Sequence, residues 1–179
     1  ADKEDVDYYT NVIENADVKI IEKIKEKRIN KNLKVTFGNV SANEFYLGYY
    51  VKMYDKIIGS YELDLPPINF DTTSIWFEIS DEIKDNLRKK LGEDAFMGGL
   101  HGIEHAMIGI MPFYIMCDRW DLGGLSTNLS QETGKATIFV YDAFEGGIGL
   151  SEKTYEIFGE VLEATYKLIK DCPCEEENG

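Results

Sequence analysis

Between Val18 and Ile79 apolar positions recur mainly with the two-residue period of β-strands. Val18, Ile20 and Ile24 share one parity, and Leu33, Val35 and Phe37 share another. The clearest alternation sets Phe45, Leu47, Tyr49, Val51 and Met53 against Tyr46, Gly48, Tyr50, Lys52 and Tyr54. Gly38 interrupts the preceding strand, and Asn39 marks a turn or bulge beside it. Pro66 and Pro67 end the next segment, and Thr73, Ile75, Phe77 and Ile79 then resume the alternation. Short antiparallel strands in succession predict a compact sheet or partial barrel.

The period changes at Ser80. Ser80 is a good N-cap, Asp81 and Glu82 suit a first helical turn, and Ile83, Leu87 and Leu91 form one stripe closed by Gly92. A second helix starts at Asp94 or just after. Phe96, Met97, Leu100, Ile103, Met107, Ile108, Ile110 and Met111 make it apolar nearly all round, which predicts burial. Gly98, Gly99, Gly102 and Gly109 each cost such a helix about 1 kcal/mol relative to Ala, a cost expected to be offset by close approach of neighbouring backbones. Pro112 kinks or ends it. Residues 121–134 read as a polar, glycine-bearing loop and Ala136–Tyr141 as a central strand. Residues 145–150 read as a turn, and Ser151 as the cap of a long helix with Thr154, Ile157, Phe158, Val161, Leu162, Thr165, Tyr166, Leu168 and Ile169 as its stripe. The predicted class is α+β: an N-terminal antiparallel sheet or partial barrel, then buried helices packed on a sheet, then a long C-terminal helix. Residues 1–179 are expected to form a single domain, strand-rich over about 1–79 and helix-rich over about 80–179.

Charge narrows the partners. Of 179 residues 33 are acidic and 19 basic, for a net charge of −14, which opposes unaided binding to DNA or to an anionic membrane. Lys84, Arg88, Lys89 and Lys90 are the densest basic run and fit a solvated helix face. No apolar run reaches the roughly 18 residues that suggest a membrane span. The chain opens on Ala1 and stops shortly after Cys174, and both ends read as cuts in a longer chain. Three cysteines, an odd number, point to a reducing compartment, hence the cytoplasm.

Four segments carry candidate chemistry. Glu145-Gly-Gly-Ile-Gly-Leu-Ser151 joins a strand to a helix as a phosphate loop does. It lacks the lysine, places Glu145 where phosphate would sit, and fits a tight turn with Asp142 at the strand end. His101-Gly-Ile-Glu-His105 has the His-x-x-Glu-His pattern of inverted zinc peptidases, with His101 and His105 on one helical face and Glu104 as general base. With no third histidine, Glu132, Asp142, Glu145 or Glu152 would supply the remaining ligand. The same residues also fit a structural polar cluster, in which His101, Glu104 and His105 hydrogen-bond with Asp118, Arg119 or Asp121, with Asp142 as a further member; the glycines and Pro112 favour this reading. In Cys117-Asp-Arg-Trp-Asp-Leu-Gly-Gly124 the aspartates can hold Arg119, or Arg119 can receive a phosphate while Trp120 stacks on a base. Cys172 and Cys174, flanking Pro173, are poor disulfide partners but suit two thiolates on one metal, half of a structural zinc site; an exposed tail without metal is the alternative.

With these motifs the chain resembles the C-terminal zinc-binding domain of MrfA-type, RecQ-like DEAD/DEAH-box DNA helicases, almost end to end. The landmarks are Val6-Asp-Tyr-Tyr-Thr10, Leu63-Asp-Leu-Pro-Pro67 with Thr72, Thr73 and Trp76, Gly99–His105, Cys117–Gly124, and Ile138–Asp142 leading into Gly146–Gly149. Relatives often carry Pro where this chain has Glu145. The resemblance implies that a second cysteine pair follows Cys172 and Cys174 in the family and that the four bind zinc, so the site is incomplete within this sequence. It implies a parent that is an ATP-dependent 3′–5′ helicase in DNA repair, with ATP and magnesium held by two upstream motor domains. This domain would then be non-catalytic, pack on the motor and shape the single-stranded DNA path. Two rivals are a zinc-dependent hydrolase at His101, Glu104 and His105, and a protein-interaction module.

Overall fold

The computed structural model describes residues 8–54 and 56–173. In chain order the elements are β1 (Tyr8–Asn30), β2 (Leu33–Met53), β3 (Lys56–Glu62), β4 (Ile68–Ile79), α1 (Asp81–Leu91), α2 (Glu93–Ile110), α3 (Pro112–Ile115), a 3₁₀ turn (Arg119–Asp121), β5 (Leu122–Thr127), β6 (Ala136–Asp142), α4 (Leu150–Glu156) and α5 (Phe158–Lys170). The class is α+β, as the sequence predicts. Two compact units interleave along the chain: Ala1–Asp17 with Ala42–Asn69, and Val18–Ser41 with Phe70–Gly179.

The first unit contains strands and no helix among the described residues. Residues 48–53 of β2 pair antiparallel with β3, and the register slips between Val51 and Lys52. Tyr49 and Tyr61 stack across this pair at 5.1 Å between ring centroids. Gly48 is required where it stands, because a Cβ there would lie 2.3 Å from the Tyr61 carbonyl oxygen. The alternation from Phe45 to Met53 finds the strand but not a core. None of Phe45, Leu47, Tyr49, Val51 or Met53 is buried, since no second layer within the unit covers either face.

The second unit holds the core. The strand order is β1-β2-β4-β6-β5, with β6 antiparallel to both neighbours. Every residue of β6 is buried, so the nearly continuous apolar run is a central strand. Ile75 pairs with Val140, Phe77 with Ile138 and Ile79 with Ala136, which puts one alternating set on one face. That set joins Phe96, Leu100, Met107 and Ile108 of α2, together with Phe158 and Val161 of α5, in a single cluster. Phe77 and Phe158 meet at 5.3 Å. The opposite face carries Trp76 and Phe139, also buried and 5.9 Å apart.

Several expectations are corrected here. The strand run starts at Tyr8 rather than Val18. Residues 122–127, expected in a loop, form β5, because edge pairing with β6 and packing by α2 outweigh the weak strand propensity of Leu-Gly-Gly-Leu-Ser-Thr. Helix α2 is buried on one side only, at Phe96, Leu100, Glu104, Met107 and Ile108. Only that side meets the sheet and α5. A Cβ built on Gly98, Gly99, Gly102 or Gly109 would meet nothing within 4 Å, so no backbone closes on these glycines among the described residues. The predicted stripe of α1 likewise contains no buried residue. The C-terminal helix is interrupted at Ile157, giving α4 and α5. Ser80 does cap α1, accepting from the Ile83 amide at 3.4 Å.

A partly covered ion network ties β2 to β4. The Lys34 ammonium lies 2.7 Å from buried Glu78 and 3.1 Å from Glu26. Burial pulls the Lys34 pKa down, but the bonds to Glu78 and Glu26 outweigh it and the net shift is upward from 10.5. A raised folded-state value contributes stability that is complete below the unfolded value and is lost as pH climbs through the folded one. The urea midpoint of the protein should therefore fall as pH rises past 10.5, and the fall should be shallower in Lys34→Met, measured by parallel denaturation series.

Candidate functional site

The site is built where α2 crosses the β5–β6 pair. Leu122 pairs with Asp142, Gly123 with Tyr141, Gly124 with Val140 and Ser126 with Ile138. Val140 and Ile138 belong to the helix-facing set, so Gly124 and Ser126 face α2. A Cβ on Gly124 would lie 2.6 Å from Ile108 Cδ1 and 2.8 Å from Glu104 Oε1. A Cβ on Gly123, on the other face, would lie 2.3 Å from the Tyr141 ring. Each glycine clears one side of the strand, which gives the Leu-Gly-Gly segment its physical reason.

Over Gly124 the Glu104 side chain is 5% exposed. Its Oε2 stands 3.3 Å from His101 Nδ1, and Ser126 Oγ stands 3.4 Å from the same nitrogen. His101 Nε2 and His105 Nε2 are 2.9 Å apart, with the rings edge to face at a centroid distance of 4.2 Å. Both imidazoles are exposed at the surface above a buried carboxylate. One ligand atom from each of His101, Glu104 and His105 lies within 4.8 Å of the others, the geometry of a possible metal group. Among the described residues this is the only such group, and neither Glu132, Asp142, Glu145 nor Glu152 joins it. Glu132 instead accepts from the Ile20 amide at 2.9 Å, and Glu152 pairs with Lys25 at 2.6 Å.

Asp142, Asp118, Arg119 and Asp121 serve elsewhere. Asp142, fully buried at the end of β6, accepts from the backbone amides of Ile148 (2.7 Å), Leu150 (3.1 Å) and Ser151 (2.8 Å), and from Ser151 Oγ (2.6 Å). Gly146, Gly147 and Gly149 reach φ of 80°, 71° and 90°, which folds those amides around the carboxylate. The N-cap of α4 is Gly149, so Ser151 does not cap the helix as expected; Asp142 takes that part from across the turn. A carboxylate from the chain itself thus occupies the anion position that a phosphate loop would offer. Asp118 and Asp121 form a reciprocal capping box on the 3₁₀ turn, with Asp118 N donating to Asp121 Oδ2 at 2.8 Å. Arg119 donates to the Leu122 carbonyl at 3.4 Å, and Trp120 is 86% exposed. The structure therefore brings His101, Glu104 and His105 together with Ser126. It makes a second group of Asp142 and the turn, and a third of Asp118 and Asp121. Nothing in the sequence marks Ser126, because Leu122–Thr127 lacks a strand pattern, and only the strand's register places it beneath His101.

Of the predicted thiolates, Cys172 is exposed just past the end of α5, and Cys174 lies outside the described residues. Burial, then Asp121, Asp118 and Asp142, push the Cys117 thiol upward from 9.0. No group of three potential ligands among the described residues includes a cysteine, so the residues described do not fit a four-thiolate zinc site. No helix among them is long and apolar enough to cross a membrane.

The sheet backed by α2 and α5, with an imidazole–carboxylate cluster on the outer edge of α2, defines an α+β domain with a potential metal group. The chain belongs to the MrfA Zn-binding domain family, whose model matches residues 103–179. It is 35% identical to the Uncharacterized ATP-dependent helicase YprA of Bacillus subtilis (strain 168) over 174 residues, 96% of this chain and 22% of that protein. It is 38% identical over 78 residues to the Uncharacterized protein MJ1572.1 of Methanocaldococcus jannaschii, 42% of this chain and 70% of that protein. The crystal structure of the DUF1998 helicase MrfA bound to DNA is similar with a TM-score of 0.64 at 31% identity, over 95% of this chain and 22% of that one. The chain thus spans about a fifth of the length of the helicases it matches.

Two substitutions test the local architecture. Gly124→Ala should destabilise the protein by about 1–3 kcal/mol through overpacking against Glu104 and Ile108. Asp142→Ala should cost about 2–5 kcal/mol, because it strands buried amides at the start of α4. Urea unfolding at pH 7 measures both, and an Asp142→Ala protein as stable as the original would refute the capping role.

Proposed function

We propose that this domain is a non-catalytic C-terminal part of an ATP-dependent 3′–5′ DNA helicase acting in DNA repair in the cytoplasm. The supporting observation is the disproportion of the match: nearly all of this chain corresponds to a fifth of the helicase MrfA. ATP and magnesium would be held by motor domains in the rest of such a chain. The turn that most resembles a phosphate loop is filled by Asp142, which supports placing nucleotide chemistry elsewhere.

In this reading the domain packs against the motor and borders the single-stranded DNA path. Phe113, Met116 and Trp120, on α3 and the segment after it, are 83%, 93% and 86% exposed, a concentration of apolar surface that favours a protein partner. The net charge of −14 favours a bordering role over a gripping one. Zinc, which the family's description includes, would need ligands beyond the described thiol of Cys172. The hydrolase reading is less well supported, because Glu104 is buried and bonded to His101 rather than directed at solvent water.

The test is reconstitution. The 179-residue chain is expected to hydrolyse no ATP and to bind a single-stranded oligonucleotide weakly at physiological salt. It is expected to be captured by the separately expressed motor domains of a MrfA-type helicase, about thirtyfold more weakly after Phe113→Ala with Trp120→Ala, since two such aromatic anchors at about 1 kcal/mol each amount to that factor. Tight oligonucleotide binding by the isolated chain, or no capture at any concentration, would defeat the proposal.

A further inference from the structure

We propose that His101 and His105 form a surface chelate for a borderline divalent metal ion of the zinc type, with Glu104 as the positioning residue behind it rather than a ligand or a base. Four observations converge. The two histidines are four apart on α2, so both rings leave the same side of the helix. Their Nε2 atoms face each other at 2.9 Å. At that distance one ring N–H is shared between the two nitrogens, so both Nε2 atoms already converge on one point and a metal ion would take the place of that proton. Tetrahedral zinc with bonds of about 2.0–2.1 Å needs its nitrogens roughly 3.4 Å apart, so a small rotation of the exposed His105 ring opens the pair to fit.

The second observation is the partner behind the ring. Glu104 Oε2 faces His101 Nδ1 at 3.3 Å, with Ser126 Oγ 3.4 Å from the same nitrogen. In the proposed site the His101 proton sits on Nδ1, donated to Glu104, which leaves the Nε2 lone pair directed at His105. A carboxylate receiving the second ring N–H of a liganding histidine both orients the ring and raises its basicity. Third, the carboxylate is itself fixed: it is buried and wedged beside Ile108 in the space that Gly124 leaves. Fourth, access is open. Gly98 and Gly102 lie one helical turn before His101 and His105, and a Cβ at either would meet nothing within 4 Å. Two imidazoles leave the remaining coordination positions to water. Imidazole nitrogens suit zinc, copper and nickel rather than magnesium or calcium.

The experiment uses the full chain carrying Cys172→Ser and Cys174→Ser, which removes these thiols as competing ligands, and zinc chloride as probe. Calorimetric titration with native mass spectrometry is expected to find one zinc per chain, and His105→Ala, an exposed change, is expected to weaken binding at least a hundredfold. Glu104→Gln should weaken it about tenfold, the lower end of the loss that follows from removing an orienting partner. Long-range proton–nitrogen spectra of the metal-free protein should show His101 protonated on Nδ1, with both Nε2 resonances moving on zinc addition; this readout does not depend on any Glu104 variant folding. Zinc affinity unchanged by His105→Ala, or a His101 ring protonated on Nε2, overturns the proposal.

Discussion

The closeness of α2 to the β5–β6 pair is the constraint on which the rest of the site depends. Gly124 permits it, since any side chain there would collide with Ile108 and Glu104. The contact brings Leu100, Met107 and Ile108 into the same cluster as Ile138 and Val140, so apolar burial supplies the energy that holds the helix down. Glu104 is carried into this interface by its place in the helical repeat, between Leu100 and Met107. A buried carboxylate must find hydrogen-bond partners, and the nearest side-chain donor is the ring of His101. The arrangement of the surface imidazole therefore follows from a missing side chain on the strand below.

The same strand pair settles a second polar group at its other end. Leu122 opposite Asp142 closes the ladder, and the Ala143 amide extends it by donating to the Asp121 carbonyl at 2.8 Å. Asp142 then projects into a turn whose glycines adopt conformations that few side chains tolerate. Several amide donors converging on one carboxylate make a compact, self-contained anion site. In a nucleotide-binding loop those donors would wait for a phosphate; here they are already used. The acidity of the chain as a whole, with a net charge of −14, likewise opposes unaided phosphate binding.

The sequence made much of this legible, and the misses have specific causes. The cap at Ser80, the stop at Gly92 and the central strand Ala136–Tyr141 each depend on local signals, and each is where the pattern puts it. Strand β5 was invisible because its glycines are chosen for what lies above and below, which no local propensity expresses. The apolar circumference of α2 suggested full burial, but Met97 and Ile103 only flank a one-sided contact. The cap of α4 was sought in Ser151, next in sequence, whereas the acceptor comes from Asp142, nine residues back and across a turn. The pairing of His101 with His105 was readable from their spacing. The part of Glu104 was not, because it depends on which side of the helix faces the sheet.

Of the segments that carry the family resemblance, four meet in this one piece of architecture. Gly99–His105 lies on α2, Leu122–Gly124 on β5, Ile138–Asp142 on β6, and Gly146–Gly149 forms the turn that Asp142 fills. Most of these residues are explained by packing: glycines that clear space, a carboxylate that caps a helix, a strand buried along its whole length. Similarity in such positions is strong evidence that another chain folds alike and weak evidence about its chemistry. His105 stands apart from that explanation, since it is exposed and its bond runs to the equally exposed ring of His101 rather than to the sheet. Architecture accounts for His101 through the buried carboxylate beneath it, and the second imidazole facing it is the part that the proposed shared cation would explain.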